Sequence, residues 1–176
     1  MGQYYKPIIL KEDSDEVKSW ILAHEYNDGL KLMEHSYLKN DFVGAFESLL
    51  LSKPQRVVWG GDYADEEPDG EILYGLCSEE TKLTPENLRP QVVQERYIVN
   101  HTKKEYIDKS KIVDNDGWKI HPLPLLTCEG NGRGGGDFRG EDANDLIGSW
   151  SRDLISVEPM RPDEDFKEIE FDLTEG

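Results

Sequence analysis

Residues 40–51 read Asn-Asp-Phe-Val-Gly-Ala-Phe-Glu-Ser-Leu-Leu-Leu, and the placement of that run decides the fold. Phe42, Val43, Phe46, Leu49 and Leu50 recur three or four residues apart, the spacing of one apolar stripe on an α-helix. Asn40 stands where its side chain can cap the first turn, and the helix ends before Pro54. A single stripe is fit to cover a sheet.

The strands are sought on either side. Residues 4–10 (YYKPIIL) are aromatic and β-branched and predict a first strand, with Pro7 favouring an edge or irregular position. After a polar loop, residues 19–25 (SWILAHE) and 30–36 (LKLMEHS) flank Tyr26-Asn27-Asp28-Gly29. An Asp-Gly turn between two such runs predicts an antiparallel meander, Gly29 taking the positive φ. Residues 56–59 (RVVW) predict a buried strand from which Gly60, Gly61 and Asp62 turn the chain outward. Residues 72–77 suit a short helix, and Thr84 with Pro85 predicts another that Pro90 closes. Residues 97–100 and 105–110 form a hairpin around His101-Thr102-Lys103-Lys104, while Pro122 and Pro124 predict extended chain over 118–126. The spacing in residues 146–157 fits helix and strand alike. The sum is an α+β fold: one domain over residues 1–157, an antiparallel or mixed sheet packed on the 40–51 helix, and long irregular loops. An acidic strand or partner-docking tail over residues 158–176 completes it.

A length of 176 residues suits one such domain. The net charge of −17 is unevenly spread. Residues 57–81 hold eight acids and no Lys or Arg, and residues 158–176 hold eight acids against Arg161 and Lys167. A field of this sign repels nucleic acid and anionic membrane and attracts basic protein surfaces or cations. Within the first stretch, Asp62, Asp65, Glu66, Glu67 and Asp69 are the candidate partner-binding residues. Asp65, Glu67, Asp69 and Gly70 follow the first half of a calcium-binding loop, but Leu76 stands where the bidentate Glu is required. No metal ligand set and no cofactor is assigned.

Residues 130–140 read GNGRGGGDFRG. Glycine amides bare of side chains permit close approach of a carboxylate or phosphate, and Arg133 and Arg139 supply charge beside them. The run lacks GK[ST], and no apolar helix follows its GxGxxG string, so it fits neither nucleotide fingerprint. The candidate ligand residues are His121, Asn131, Gly132, Arg133, Gly134, Gly135, Gly136, Asp137 and Arg139. The same residues also suit a wide turn in which the arginines pair with Glu129 or Glu141. His24 and His35 flank one predicted turn without a third ligand, and Cys77 and Cys128 show no zinc or redox spacing. No nucleophile motif is present. The opening MGQYYKPIIL has no leader pattern, and no apolar run approaches a membrane span, which predicts a cytoplasmic protein.

Several segments, MGQYYK, GLKLMEHS (29–36), WGGDYAD (59–65), VNHTKKEY (99–106) and GNGRGGGD with GSW and DLI after it, resemble a set of uncharacterised proteins of bacteria and their phages. In shorter members VN-KKEY follows MGQYY directly and the glycine loop precedes GDYAD; here both come late. The resemblance implies a compact bacterial or phage protein and no activity. The function expected is therefore a non-enzymatic interaction module or inhibitor that meets a basic protein surface through its acidic loop and tail. The alternative is an anion- or nucleotide-binding protein or enzyme using the 130–140 loop, with a divalent ion at Asp62 and Asp65.

Overall fold

A computed structural model of the chain describes residues 3–114, 116–130 and 145–172. The fold is α+β, organised on a mixed sheet that has eight strands among the described residues. These are β1 (Tyr5–Leu10), β2 (Val17–Trp20), β3 (Gln55–Gly61), β4 (Tyr97–Asn100), β5 (Glu105–Asp108), β6 (Cys128–Glu129), β7 (Leu154–Glu158) and β8 (Lys167–Glu168). Their order is β2-β1-β3-β7-β4-β5-β8, with β6 beside β3. Neighbours are antiparallel except β3–β6 and β5–β8. β3 is where the sheet branches: Gln55 and Arg56 pair with β7, whereas Trp59 and Gly60 pair with β6.

Alternation along the strands sorts side chains onto two faces. Tyr5, Ile9, Val57 and Trp59 enter one apolar cluster, and Ile8, Leu10 and Val58 another. Helices α2 (Asp41–Ser48) and α3 (Pro122–Thr127) contribute Phe42, Phe46, Leu123 and Leu126 to the first cluster. Phe42 and Phe46 meet the Trp59 ring edge-on at centroid distances of 6.2 and 5.1 Å. Each of these fully buried phenylalanines contributes roughly 1.5–3 kcal/mol by leaving water. As the sequence predicts, Asn40 caps α2, its Oδ1 accepting the Val43 N–H at 2.9 Å.

Residues 19–36 depart from the predicted meander. Only β2 is a strand there; Ala23–Tyr26 is a single 3₁₀ turn and Leu32–His35 a single α-turn, α1. In each turn the first and last residues, Ala23 with Tyr26 and Leu32 with His35, are buried, so one helical turn aims both inward. Asn27, not Gly29, takes the left-handed conformation (φ 59°). His24 is exposed while His35 is buried, so the two histidines do not face each other across strands.

The glycines Gly60 and Gly61 continue β3 instead of turning out, because a Cβ on Gly61 would stand 2.7 Å from the Glu129 carbonyl oxygen. Pro7 sits inside the sheet; its carbonyl accepts the Ile21 N–H at 3.4 Å, so its missing N–H falls on the β2 side just past Trp20, where β2 ends. Thr84-Pro85 makes one turn and no helix. Residues 122–127 are helical where extended chain is predicted: Pro122 and Pro124 lie in the first turn of α3, where backbone N–H groups have no intrahelical partner to lose. Residues 145–152 are turns that lead into β7. β8 pairs with β5 and Phe171 is buried, so the described part of the C-terminal stretch packs on its own chain. No helix among the described residues is long and apolar enough to cross a membrane.

Two consequences are measurable. Gly-to-Ala in a helix ordinarily gains about 0.5–1 kcal/mol. At Gly44 a Cβ would lie 1.8 Å from the Gln91 carbonyl oxygen, so Gly44→Ala will lower stability in urea unfolding. His35 accepts the Trp59 indole N–H at Nε2 (3.0 Å) and bonds the Gly29 carbonyl through Nδ1 (2.8 Å), which fixes a neutral ring. Burial depresses its pKa from 6.5 to about 4. The unfolded chain then binds the extra proton first, so this contribution is complete above pH 6.5 and declines as pH falls towards 4. The loss is on the order of 3 kcal/mol. Nitrogen NMR should find the His35 ring neutral at pH 5, and a ring titrating near 6.5 would disprove the arrangement.

Candidate functional site

The branch in the sheet leaves a gap between β6 and β7 at the edge of β3, and Arg152 fills it. Arg152 holds a left-handed backbone (φ 67°) and its N–H donates to the Val57 carbonyl at 2.7 Å, which locks the turn before β7 against β3. Its guanidinium forks onto Glu129 of β6, with Nε on Oε2 at 2.7 Å and Nη2 on Oε1 at 2.8 Å. The opposite edge grips Glu67 of the acidic loop, and Nη1 lies 3.3 Å from Asp15 Oδ2. Arg56 adds a second guanidinium, bonding Asp15 at 2.7 Å, the Ser14 carbonyl at 2.7 Å and the Arg152 carbonyl at 3.1 Å. Burial would push the Glu129 carboxyl up, but hydrogen bonds from Arg152 and Ser151 hold it below the usual range.

This junction gathers several of the quoted segments. Tyr5, Gly61, Glu129 with Gly130, and Arg152 meet there. A Cβ on Gly130 would lie 2.5 Å from Gln3 Oε1 and 2.6 Å from the Tyr5 hydroxyl oxygen, so a larger residue there would displace those two side-chain ends. The candidate ligand residues Asn131, Gly132, Arg133, Gly134, Gly135, Gly136, Asp137 and Arg139 lie outside the described residues.

The acidic loop is divided by the fold. Glu67 is taken up by Arg152. Asp62 closes the sheet end, its Oδ1 accepting the Tyr4 N–H at 2.9 Å. Asp69 Oδ1 accepts the Glu71 N–H at 3.0 Å and shapes a tight turn through Gly70 (φ 90°). Asp65, Glu66 and Asp69 remain exposed. Of these Asp69, together with Asp15, Glu16 and Glu67, lines a groove of about 460 Å³ that Val17, Pro68 and Leu76 also line. Among the described residues no group of three or more His, Cys, Asp or Glu could hold a metal ion.

His121 lies elsewhere, as the N-cap of α3. Its Nδ1 accepts the Leu123 N–H at 3.1 Å, so the ring proton sits on Nε2 and is donated to Glu47 Oε1 at 2.8 Å. Lys109 Nζ bonds the other Glu47 oxygen at 2.8 Å. Burial alone would raise the Glu47 carboxyl, yet His121 and Lys109 hold it below its ordinary value. All three side chains are buried and line a cleft beside α2. Glu47 was legible in principle: it flanks the apolar stripe, four residues after Val43 and three before Leu50, where a charge needs a partner. Arg152 had no such signal, because its partners are 23, 85 and 137 residues away.

Neither cysteine is in a disulfide. Burial lifts the Cys77 thiol to about 12, which leaves almost no thiolate at neutral pH. Comparison with protein-family models, with curated protein sequences and with solved structures finds no match for this chain. What the coordinates define is a class: an α+β protein with a branched mixed sheet, an acidic groove at the branch and a separate cleft against α2.

Removing Arg152 strands Glu67 and Glu129 together. Arg152→Ala should cost about 2–4 kcal/mol in denaturant unfolding. Glu67→Gln, which keeps acceptors for the guanidinium, should cost clearly less; equal costs would mean that the cluster does not hold the branch.

Proposed function

We propose that the protein is a non-enzymatic interaction module, of the inhibitor or modulator kind, that works in the cytoplasm and takes a basic segment of a partner protein into the acidic groove. The observation that supports this reading most is the meeting of two acidic segments, residues 15–16 and 67–69, in one groove with Val17, Pro68 and Leu76. Arg152 pairs with Glu67 and Asp15, and Arg56 with Asp15, which fixes the two segments to each other. The exposed carboxylates, Asp65, Glu66 and Asp69, stay available to a partner's lysines and arginines. The two kinds of residue thus divide the work: apolar contacts hold the segment and the exposed charges set encounter rate and partner choice. A chain of net charge −17 extends that attraction beyond the groove. The segment resemblance to bacterial and phage proteins suits such a role and assigns no chemistry.

A fluorescent peptide that alternates Lys or Arg with Leu serves as the probe. Its affinity should fall with added salt, and the triple variant Asp65→Asn, Glu66→Gln, Asp69→Asn should weaken it on the order of tenfold, at about 0.5 kcal/mol per exposed pair. Asp69→Asn keeps the oxygen that accepts the Glu71 N–H, so the turn survives. Affinity indifferent to both salt and the triple variant would exclude the groove.

A further inference from the structure

The cleft beside α2 has a volume of about 500 Å³, the size that encloses a small molecule. α2 forms one wall, residues 92–96 a second, and residues 109–121 supply the remainder. The first two walls are fixed to each other: Gln91 N–H donates to the Asp41 carbonyl at 3.3 Å, and the 91–92 backbone crosses directly over Gly44.

This cleft is less acidic than the chain, in which 37 acids face 20 Lys and Arg. Lys39, Arg96, Lys109 and Lys119 line it, with Glu47, Glu95 and Asp114. Lys109 and Glu47 satisfy each other, and His121 fills the remaining Glu47 oxygen, so the buried floor is electrically matched and held in place. Asp114 is engaged in its own turn, accepting the Gly117 N–H at 2.7 Å. Arg96 bonds Asp108 through Nε and Nη2, and its Nη1 is left over. Lys39 and Lys119 form no ion pair among the described residues. Lys39 is held in a left-handed backbone (φ 71°), directly before the α2 cap. Two lysines and a guanidinium edge therefore line a concavity that also holds Glu95 and the apolar side chains of Leu38, Val92 and Val93.

We propose that this cleft binds a small anionic metabolite, one bearing a phosphate or carboxylate group, with Lys39, Lys119 and Arg96 Nη1 as its charge-assisted donors. The matched Lys109–Glu47–His121 set forms the floor. It keeps the Glu47 charge from repelling the ligand and leaves Lys109 with N–H bonds to spare. The site is separate from the acidic groove and takes ligands of the opposite sign.

Trp118 supplies the readout. It lies between the lining residues Gly117 and Lys119 and is 60% exposed, while Trp20, Trp59 and Trp150 are at most 3% exposed. Quenching by neutral acrylamide therefore reports on Trp118. The full chain is titrated with inorganic phosphate, a nucleoside monophosphate and citrate, against chloride at matched ionic strength. At least one anion should protect Trp118 and raise the melting temperature. A response to phosphate or nucleotide without citrate assigns a phosphate ligand, and citrate alone assigns a carboxylate. The double variant Lys39→Gln, Lys119→Gln replaces two exposed side chains, so its unliganded melting temperature should match the parent while anion affinity drops tenfold or more. The triple variant of the acidic groove should bind the anion as the parent does. No response beyond chloride, or an undiminished response in the lysine variant, would overturn the proposal.

Discussion

The bond from the Trp59 indole N–H to His35 Nε2 is the constraint on which the core rests. Trp59 is fully buried at the centre of β3, and an indole N–H without an acceptor in such a place would cost about 1–3 kcal/mol. Residues 23–35 answer that need. They abandon the extended form and wind into two separate turns, the second of which points His35 at the indole and its Nδ1 at the Gly29 carbonyl. Phe42 and Phe46 then pack around the pair, which sets the height of α2 over the sheet. One polar contact thereby orders a strand, two turns and a helix.

From the same strand the molecule acquires its two concave regions. Because β3 pairs with β7 at one end and β6 at the other, a seam opens between them, and the Arg152 guanidinium spans it. That cation ties Glu67 and Asp15 together beside a groove that Glu16 and Asp69 also line. On the helical side, Glu47 extends from α2 into a space closed by α3 and by the segment after β5. Burial there is tolerable only because Lys109 and His121 each meet one of its oxygens. The acidic chain thus has one concavity whose charged lining is all carboxylate and another in which four cations face three acids.

How far the sequence could be read differs from element to element. The stripe and cap of α2, the first strand, the RVVW strand and the hairpin expected over 97–110 are local patterns, and all of them form, the second hairpin strand ending at Asp108. The Thr84-Pro85 signal is equally local and yields only one turn, as no apolar face follows it to bury. The prolines of α3 mislead in the other direction: the residue type excludes a helix interior and says nothing against a first turn. Of the candidate site residues, His121 proved to be a cap and a carboxylate partner, while Glu67 proved to be an internal counter-ion.

The sequence by itself determined the α2 stripe and cap, a few strands whose pattern is local, where charge accumulates, and that the chain carries enough periodic apolar surface to fold. Those properties depend on neighbours three or four residues away. Only the tertiary structure decided which acids are free and which are consumed, that β3 branches, and that Lys39 and Lys119 share a cleft. The reason is distance along the chain: Arg152 meets Glu67 across 85 residues and His121 meets Glu47 across 74, separations at which no local pattern constrains the partner.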